Sequence, residues 1–306
     1  MAVRIGVGLA GFPFEGPADF WRWIELCEAS DVDSFWQSDR LISRAPGLDS
    51  IATMGALAGG TSRLKFGMSV TVVSFRDPLV LAKECATIDY LSNGRLLPAF
   101  GVGTGGAPEW RALGISEKRR GARADEALTL LARLWSEESV DFEGEFYRYE
   151  GVTIAPRPVQ QPLPLWIGGS SPAAIRRTAR LGTGWLAGIQ TPAEAAPVVA
   201  AIRDASAEAG RPVDAEHYGA GFPFRFGSQD DAAVQQTARG FQRFRPDFDL
   251  DAYLAVGDAA TVLARIEEYR RAGMTKFVLR PVAEDAKDLL AQTERLVAEV
   301  LAAIHG

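Results

Sequence analysis

Apolar positions along the chain alternate between short continuous runs and a spacing of three to four residues, the two signatures of buried strands and one-sided helices. The runs predict strands near residues 4–9, 34–37, 64–73, 95–102, 165–168, 184–187, 218–226 and 276–279. The helical spacing predicts helices near 17–30, 50–59, 78–91, 118–137, 172–181, 192–209, 259–272 and 286–304. Eight strands each followed by a helix is the count of a closed (β/α)8 TIM barrel, an α/β fold. An open doubly wound sheet is the rival, but it rarely has eight such pairs in sequence. The expected organisation is one domain over 1–306, although 306 residues would allow two on length alone.

Two stretches interrupt the rhythm and are expected as insertions after strands 4 and 7. Residues 139–164 alternate like a hairpin and then become proline-rich, and residues 227–257 are polar with a short helical piece and several aromatics. Long loops of this kind are lids or substrate walls in some barrels and surface or dimer contacts in others; length does not choose.

Residues 61–106 carry the clearest local signals. A β-branched strand ends at Ser74, and Arg76-Asp77-Pro78 opens a helix with Asp77 as N-cap and Pro78 at the tolerated first position. That helix stops at Ser92-Asn93-Gly94, and the next strand runs into Gly101-Val102-Gly103-Thr104-Gly105-Gly106. Loops at the carboxyl ends of parallel strands are where α/β folds place their chemistry.

Composition narrows the chemistry. A formal charge of −6, with basic residues scattered among acids, gives no nucleic-acid footprint. No apolar run is long enough for a membrane span, and the first residues are too short and strand-like for a signal peptide. Cys27 and Cys85 both fall inside predicted helices, which suggests no disulfide framework and fits a cytoplasmic protein. With only His217 and His305, a Ser-His-Asp triad or a multi-histidine metal site is nearly excluded, so no metal is expected. The chemistry falls to an organic cofactor.

Three loops are candidates to hold one. Gly168-Gly169-Ser170-Ser171-Pro172 ends a strand and opens a helix, offering backbone N–H groups and a positive dipole end, with Arg176 and Arg177 one turn on; the same signal also describes a merely well-capped helix. Gly101–Gly106 lacks the spacing of a dinucleotide fingerprint, and its glycines make room for a flat ring or pyrophosphate, or else form a flexible loop. Asp39-Arg40, just past strand two, reads as a catalytic pair or as a surface ion pair worth under ~1 kcal/mol. Trp36, Trp110, Phe222, Phe224 and Arg225 are further pocket candidates.

Taken in order, these segments resemble the bacterial luciferase-like superfamily of flavin- and F420-dependent oxidoreductases. The resemblance covers almost the full length and rests on SFWQSDR, FGMSVTVVSFRDP leading into AKECATIDYLSNGR, LLPAFGVGTGG and PLPLWIGGSSPAAIRRTARLGTGWL. It implies a TIM barrel that binds coenzyme F420 or reduced FMN at the strand ends and acts on a small organic substrate by hydride transfer or monooxygenation. The phosphate arm would fall on Gly168, Gly169, Ser170 and Ser171, and the ring near Ser69, Val70, Thr104 and Gly105 with Asp39 at its edge. A non-prolyl cis peptide at Ser69-Val70 is implied for the F420 branch, which SVTVVSFRDP and GVGTGG resemble most. The resemblance also implies a homodimer and a separate flavin or F420 reductase as partner.

Two departures stand out. Several F420-dependent dehydrogenases have histidine where Arg40 stands, and the sugar-phosphate branch has glutamate where Gly106 stands. An arginine stays protonated and is no general base, so Arg40 suits an anionic substrate or negative charge developing on the cofactor. The competing classes are a barrel enzyme without a redox cofactor and a catalytically silent flavin-binding relative.

Overall fold

The computed structural model describes residues 2–305. In chain order the elements are β1 (Arg4–Gly8), α1 (Pro17–Glu28), β2 (Ser34–Gln37), α2 (Ser50–Gly60), β3 (Lys65–Met68), β4 (Thr71–Val72), α3 (Pro78–Leu91), β5 (Leu96–Leu97) and β6 (Ala99–Gly101). Then come α4 (Pro108–Ala112), α5 (Arg120–Ser136), β7 (Val140–Glu143), β8 (Arg148–Val152), β9 (Trp166–Gly168), α6 (Pro172–Leu181), β10 (Gly184–Leu186) and α7 (Pro192–Glu208). The remainder is β11 (Tyr218–Phe226), α8 (Ala232–Phe244), β12 (Ala255–Gly257), α9 (Ala259–Arg271), β13 (Lys276–Pro281) and α10 (Ala286–Arg295). A π-helical turn at Leu296–Leu301 follows α10 and leads into a last helical turn, so the helix expected over 286–304 is not regular throughout.

The chain forms two compact units interleaved in sequence. The first holds residues 2–36, Ala187–Ala201 and 214–305; the second holds Gln37–Leu186 and Ile202–Val213. In the first unit β13 pairs with β11 and β1, β1 pairs with β2, and β12 pairs with β11, all parallel. β11 is buried along its whole length, and Phe222 stacks on Tyr269 of α9 with centroids 5.5 Å apart. Parallel strands covered by helices read as unbroken apolar runs for this reason. The helix α1 starts at Pro17, and the Asp19 carboxylate accepts the N–H groups of Glu15 and Gly16. Its buried Trp23 donates its ring N–H to Thr293 of α10 at 2.8 Å.

In the second unit β3 pairs with β5, and β4, β6, β9 and β10 follow one another, again all parallel. The third predicted strand is two pieces, β3 and β4, separated at Ser69-Val70, whose peptide bond is cis. The fourth is broken at Pro98, which has no N–H for a ladder. Asp77 caps α3 by accepting from Leu79 and Val80.

The first insertion is the antiparallel hairpin β7–β8, followed by proline-rich chain to β9. Its tip is fixed to α5: the Glu126 carboxylate accepts the N–H groups of Glu145, Phe146 and Tyr147, and Arg123 lies 4.6 Å from the Phe146 ring centre. The second insertion supplies α8 and β12; Phe241 of α8 packs on Phe248 and Tyr253. The strand β12 and the one-turn helix α4 have no counterpart in the expected pattern, being too short to show a period. Both cysteines are buried and neither is in a disulfide among the described residues, and burial pushes the Cys85 thiol far up.

Candidate active site

All ten residues expected in a site lie in the second unit. Eight of them lie at or just past three strand ends brought side by side. Val70, between β3 and β4, is the contact point: a Cβ added at Gly101 would lie 2.9 Å from one of its methyls, and one at Gly168 would lie 3.1 Å from the other. A side chain at Gly101 would displace that valine and one at Gly168 would crowd it, so glycine at both lets the ends of β6 and β9 close on Val70 without adjustment. Ser69 donates its N–H to the Gln37 carbonyl at 2.8 Å, which ties the same point to the end of β2.

Beyond β9 the chain turns through Gly169 at φ +103°, a conformation that favours glycine. The Gly169 carbonyl accepts the Trp185 ring N–H at 2.8 Å. Ser171 caps α6, its hydroxyl accepting from the Ala174 N–H at 3.2 Å. Ser170 is exposed and makes no side-chain hydrogen bond among the described residues. Of the two arginines expected near this terminus, Arg176 is exposed, whereas Arg177 turns inward to Asp125 at 2.7 Å and is spent on that pair.

Thr104 and Gly105 stand exposed on the glycine loop after β6. The loop is braced from behind. Trp110 of α4 donates to the Thr104 carbonyl at 2.8 Å, Arg120 donates to the Gly103 carbonyl at 3.3 Å, and Glu117 accepts the Gly106 N–H. Trp110 is therefore a structural brace, and the flexible-loop reading of this segment does not fit that set of bonds.

Asp39 and Arg40 do not pair. The Asp39 side chain is only 2% exposed and faces Arg76, which grips both carboxylate oxygens at 3.1 and 3.2 Å. The Val72 N–H at 3.3 Å and the Ser50 hydroxyl at 3.0 Å complete four donors, which fills the acceptor capacity of a carboxylate. Ser50 in turn lies 2.8 Å from the Thr71 hydroxyl. Arg76 also holds Asp49, the N-cap of α2, at 2.6 Å. Burial alone would lower the Arg76 pKa, but hydrogen bonds and charge from Asp39 and Asp49 outweigh it and raise the group above its ordinary value. Arg40 is exposed, and its side chain makes no hydrogen bond or ion pair among the described residues. Its loop is tethered by the buried Glu109 of α4, which accepts the Ile42 N–H at 3.2 Å.

Arg76, Ser50, Thr71 and Glu109 were not anticipated as site neighbours. The available signal was the Arg-Asp-Pro sequence: Asp77 explains the helix start and Pro78 its first position, which leaves the arginine without a local task. Of the other pocket candidates, Phe222 and Phe224 belong to the core, and Arg225 is engaged by Asp231 and Asp288.

The sequence matches the model of one protein family, the luciferase-like monooxygenases, over residues 4–245. The chain belongs to the luciferase-like monooxygenase family. Within that family's reach, it is 28% identical to a protein named F420-dependent glucose-6-phosphate dehydrogenase from Amycolatopsis mediterranei, over 90% of this chain and 92% of the relative. A protein of the same name from Nakamurella multipartita is 34% identical over 69% of this chain and 64% of its own length. Among solved structures, an F420-dependent secondary alcohol dehydrogenase in complex with an F420-acetone adduct superposes with a TM-score of 0.83 at 20% identity, covering 99% of each chain. That likeness shows the fold: the α/β TIM barrel of this family, as the strand–helix count implied.

Proposed function

We propose that this family member is an oxidoreductase that moves a hydride between coenzyme F420 and a small organic substrate. The observation that carries the reading is the closure of three strand ends around Val70, one of which, β9, leads directly into the N-terminus of α6. The relatives named as F420-dependent support it, one of them along nearly the whole chain. The residues fit such a group. Gly168 and Gly169 bare the backbone, Ser170 has a hydroxyl without a partner, the α6 N-terminus favours an anion, and Arg176 adds exposed positive charge.

In this reading Gly168, Gly169, Ser170 and Ser171 hold the phosphate arm, with Ser171 acting mainly through the cap it already makes. Ser69, Val70, Thr104 and Gly105 border the ring. Bound there, F420 supplies the hydride chemistry. Asp39, with its acceptor sites filled, is a positioning residue that fixes the ends of β2 and β4 rather than a proton carrier. Arg40 presents a permanent positive charge to an anionic group of the substrate or to charge developing in the reaction. It stands where several F420-dependent dehydrogenases have histidine, and Gly106 stands where the sugar-phosphate branch has glutamate. Both departures speak against glucose 6-phosphate as the substrate.

Titration of the apoprotein with F420 and with FMN, each oxidised and reduced, tests the proposal. Saturable binding of F420 with little affinity for FMN is the expected result. Preference for reduced FMN would move the reaction to oxygenation, and binding of neither would return the chain to the barrel enzymes without a redox cofactor.

A further inference from the structure

The first unit contains a cleft of about 410 Å³ lined by none of the candidate active-site residues. It lies beyond the carboxyl ends of β1 and β13, under one face of α8, and its size is in the range of small-molecule sites. Phe12, Phe241 and Val282 give it apolar walls. Gln236 and Thr237, one turn before Phe241 on α8, bring an amide and a hydroxyl to its edge. Neither side chain hydrogen-bonds to the described residues, so both are available to a ligand. The single charged lining residue among the described residues is Glu284, which is exposed and whose backbone N–H is held by Asp288. Among the described residues, no lysine or arginine lines the cleft.

We infer that this cleft binds an uncharged organic molecule with an apolar body and one hydroxyl or carbonyl group, and that it rejects phosphate esters. The amide and hydroxyl each donate and accept, which matches a neutral oxygen function. A phosphate would find no cation to offset its desolvation and would meet the Glu284 charge. The inference concerns the cleft alone and stands whether or not F420 is the cofactor.

The test uses three probes on the full chain without cofactor: 4-phenylbutan-2-ol, 4-phenylbutan-2-one and the phosphate monoester of the alcohol. Binding is followed by saturation-transfer NMR and quantified by titration. The alcohol and ketone should bind, and the phosphate should be at least about tenfold weaker, a difference of ~1.4 kcal/mol. A side chain at Gly240 would meet nothing within 4 Å, so Gly240→Trp should fold and fill the cleft. That variant, checked by circular dichroism, should lose neutral-probe binding by about tenfold or more. Glu284→Lys should bring the phosphate to within about threefold of the alcohol. The inference is overturned if the phosphate binds as well as the alcohol to the unmodified chain. It is equally overturned if a folded Gly240→Trp binds the alcohol unchanged, or if no neutral probe binds below about 10 mM.

Discussion

Each unit has one largely buried arginine bridging two aspartates, and the two clusters differ in what surrounds the anions. Arg76 holds Asp39 and Asp49; Arg225 holds Asp231 at 2.5 Å and Asp288 at 2.6 Å, and donates to the Val282 carbonyl at 2.9 Å. Asp39 is sealed from water, whereas Asp231 and Asp288 keep 28% and 22% of their side-chain surface exposed. A sealed carboxylate depends on its cation, because nothing else replaces the lost hydration. A half-wet carboxylate falls back on water at small cost. The same trio of one arginine and two aspartates therefore makes a fixed point of the candidate active site in one unit and an ordinary loop fastening in the other.

The largest predicted effect follows from that contrast. Arg76→Met leaves Asp39 buried without a counter-charge and should cost about 3–5 kcal/mol of stability in urea unfolding. Adding Asp39→Asn to it should restore much of the loss, since the amide carries no charge to strand. Arg225→Met should cost less, about 1–2 kcal/mol, because both of its aspartates can rehydrate. Equal losses for the two arginines would end the distinction between the clusters.

The smallest effects are in pH dependence, where the clusters should respond with opposite signs. Beside Arg76, burial raises the Glu84 pKa above its ordinary 4.5, Arg76 opposes the shift and Asp49 adds to it; one Glu84 oxygen is buried without a partner. A raised carboxyl pKa is a contribution fully present below pH 4.5 and lost as pH rises through the folded value. Glu84→Gln should therefore raise Tm at pH 7 and leave it unchanged at the acid end. The hydrogen bond from Arg225 holds the Asp231 pKa below its ordinary 3.8, so its contribution is present above that pH and lost as pH falls through the folded value. Asp231→Asn should lower Tm slightly at pH 7 and flatten the acid limb. The same slope for both variants would contradict the assignment.

Much of the fold was legible because its signals are local. Pro78 and Pro172 at first helical positions, with Asp77 and Ser171 as caps, place α3 and α6 at their predicted bounds. The buried run 218–226 likewise returns as β11 without adjustment. What was not legible depends on contacts across the chain. Asp39 has an arginine as its immediate neighbour, and sequence adjacency favours that pair; the partner actually used is 37 residues away, because Arg40 points to solvent and Arg76 does not. Arg176 and Arg177 show the same limit within one turn. Which of two adjacent arginines faces solvent is decided by Asp125 on another helix. The glycines at 101 and 168 read in sequence as room for a ligand, whereas in the structure the Val70 side chain already fills that room.

That occupancy has a consequence for how this site can change. Positions 70, 101 and 168 are coupled, because a side chain at Gly101 forces the valine to shift and one at Gly168 crowds it. Single-residue libraries aimed at the two glycines would understate what they can accept. A library that varies the three together would reach pocket shapes closed to stepwise replacement, with the smaller residue at 70 as the opening move.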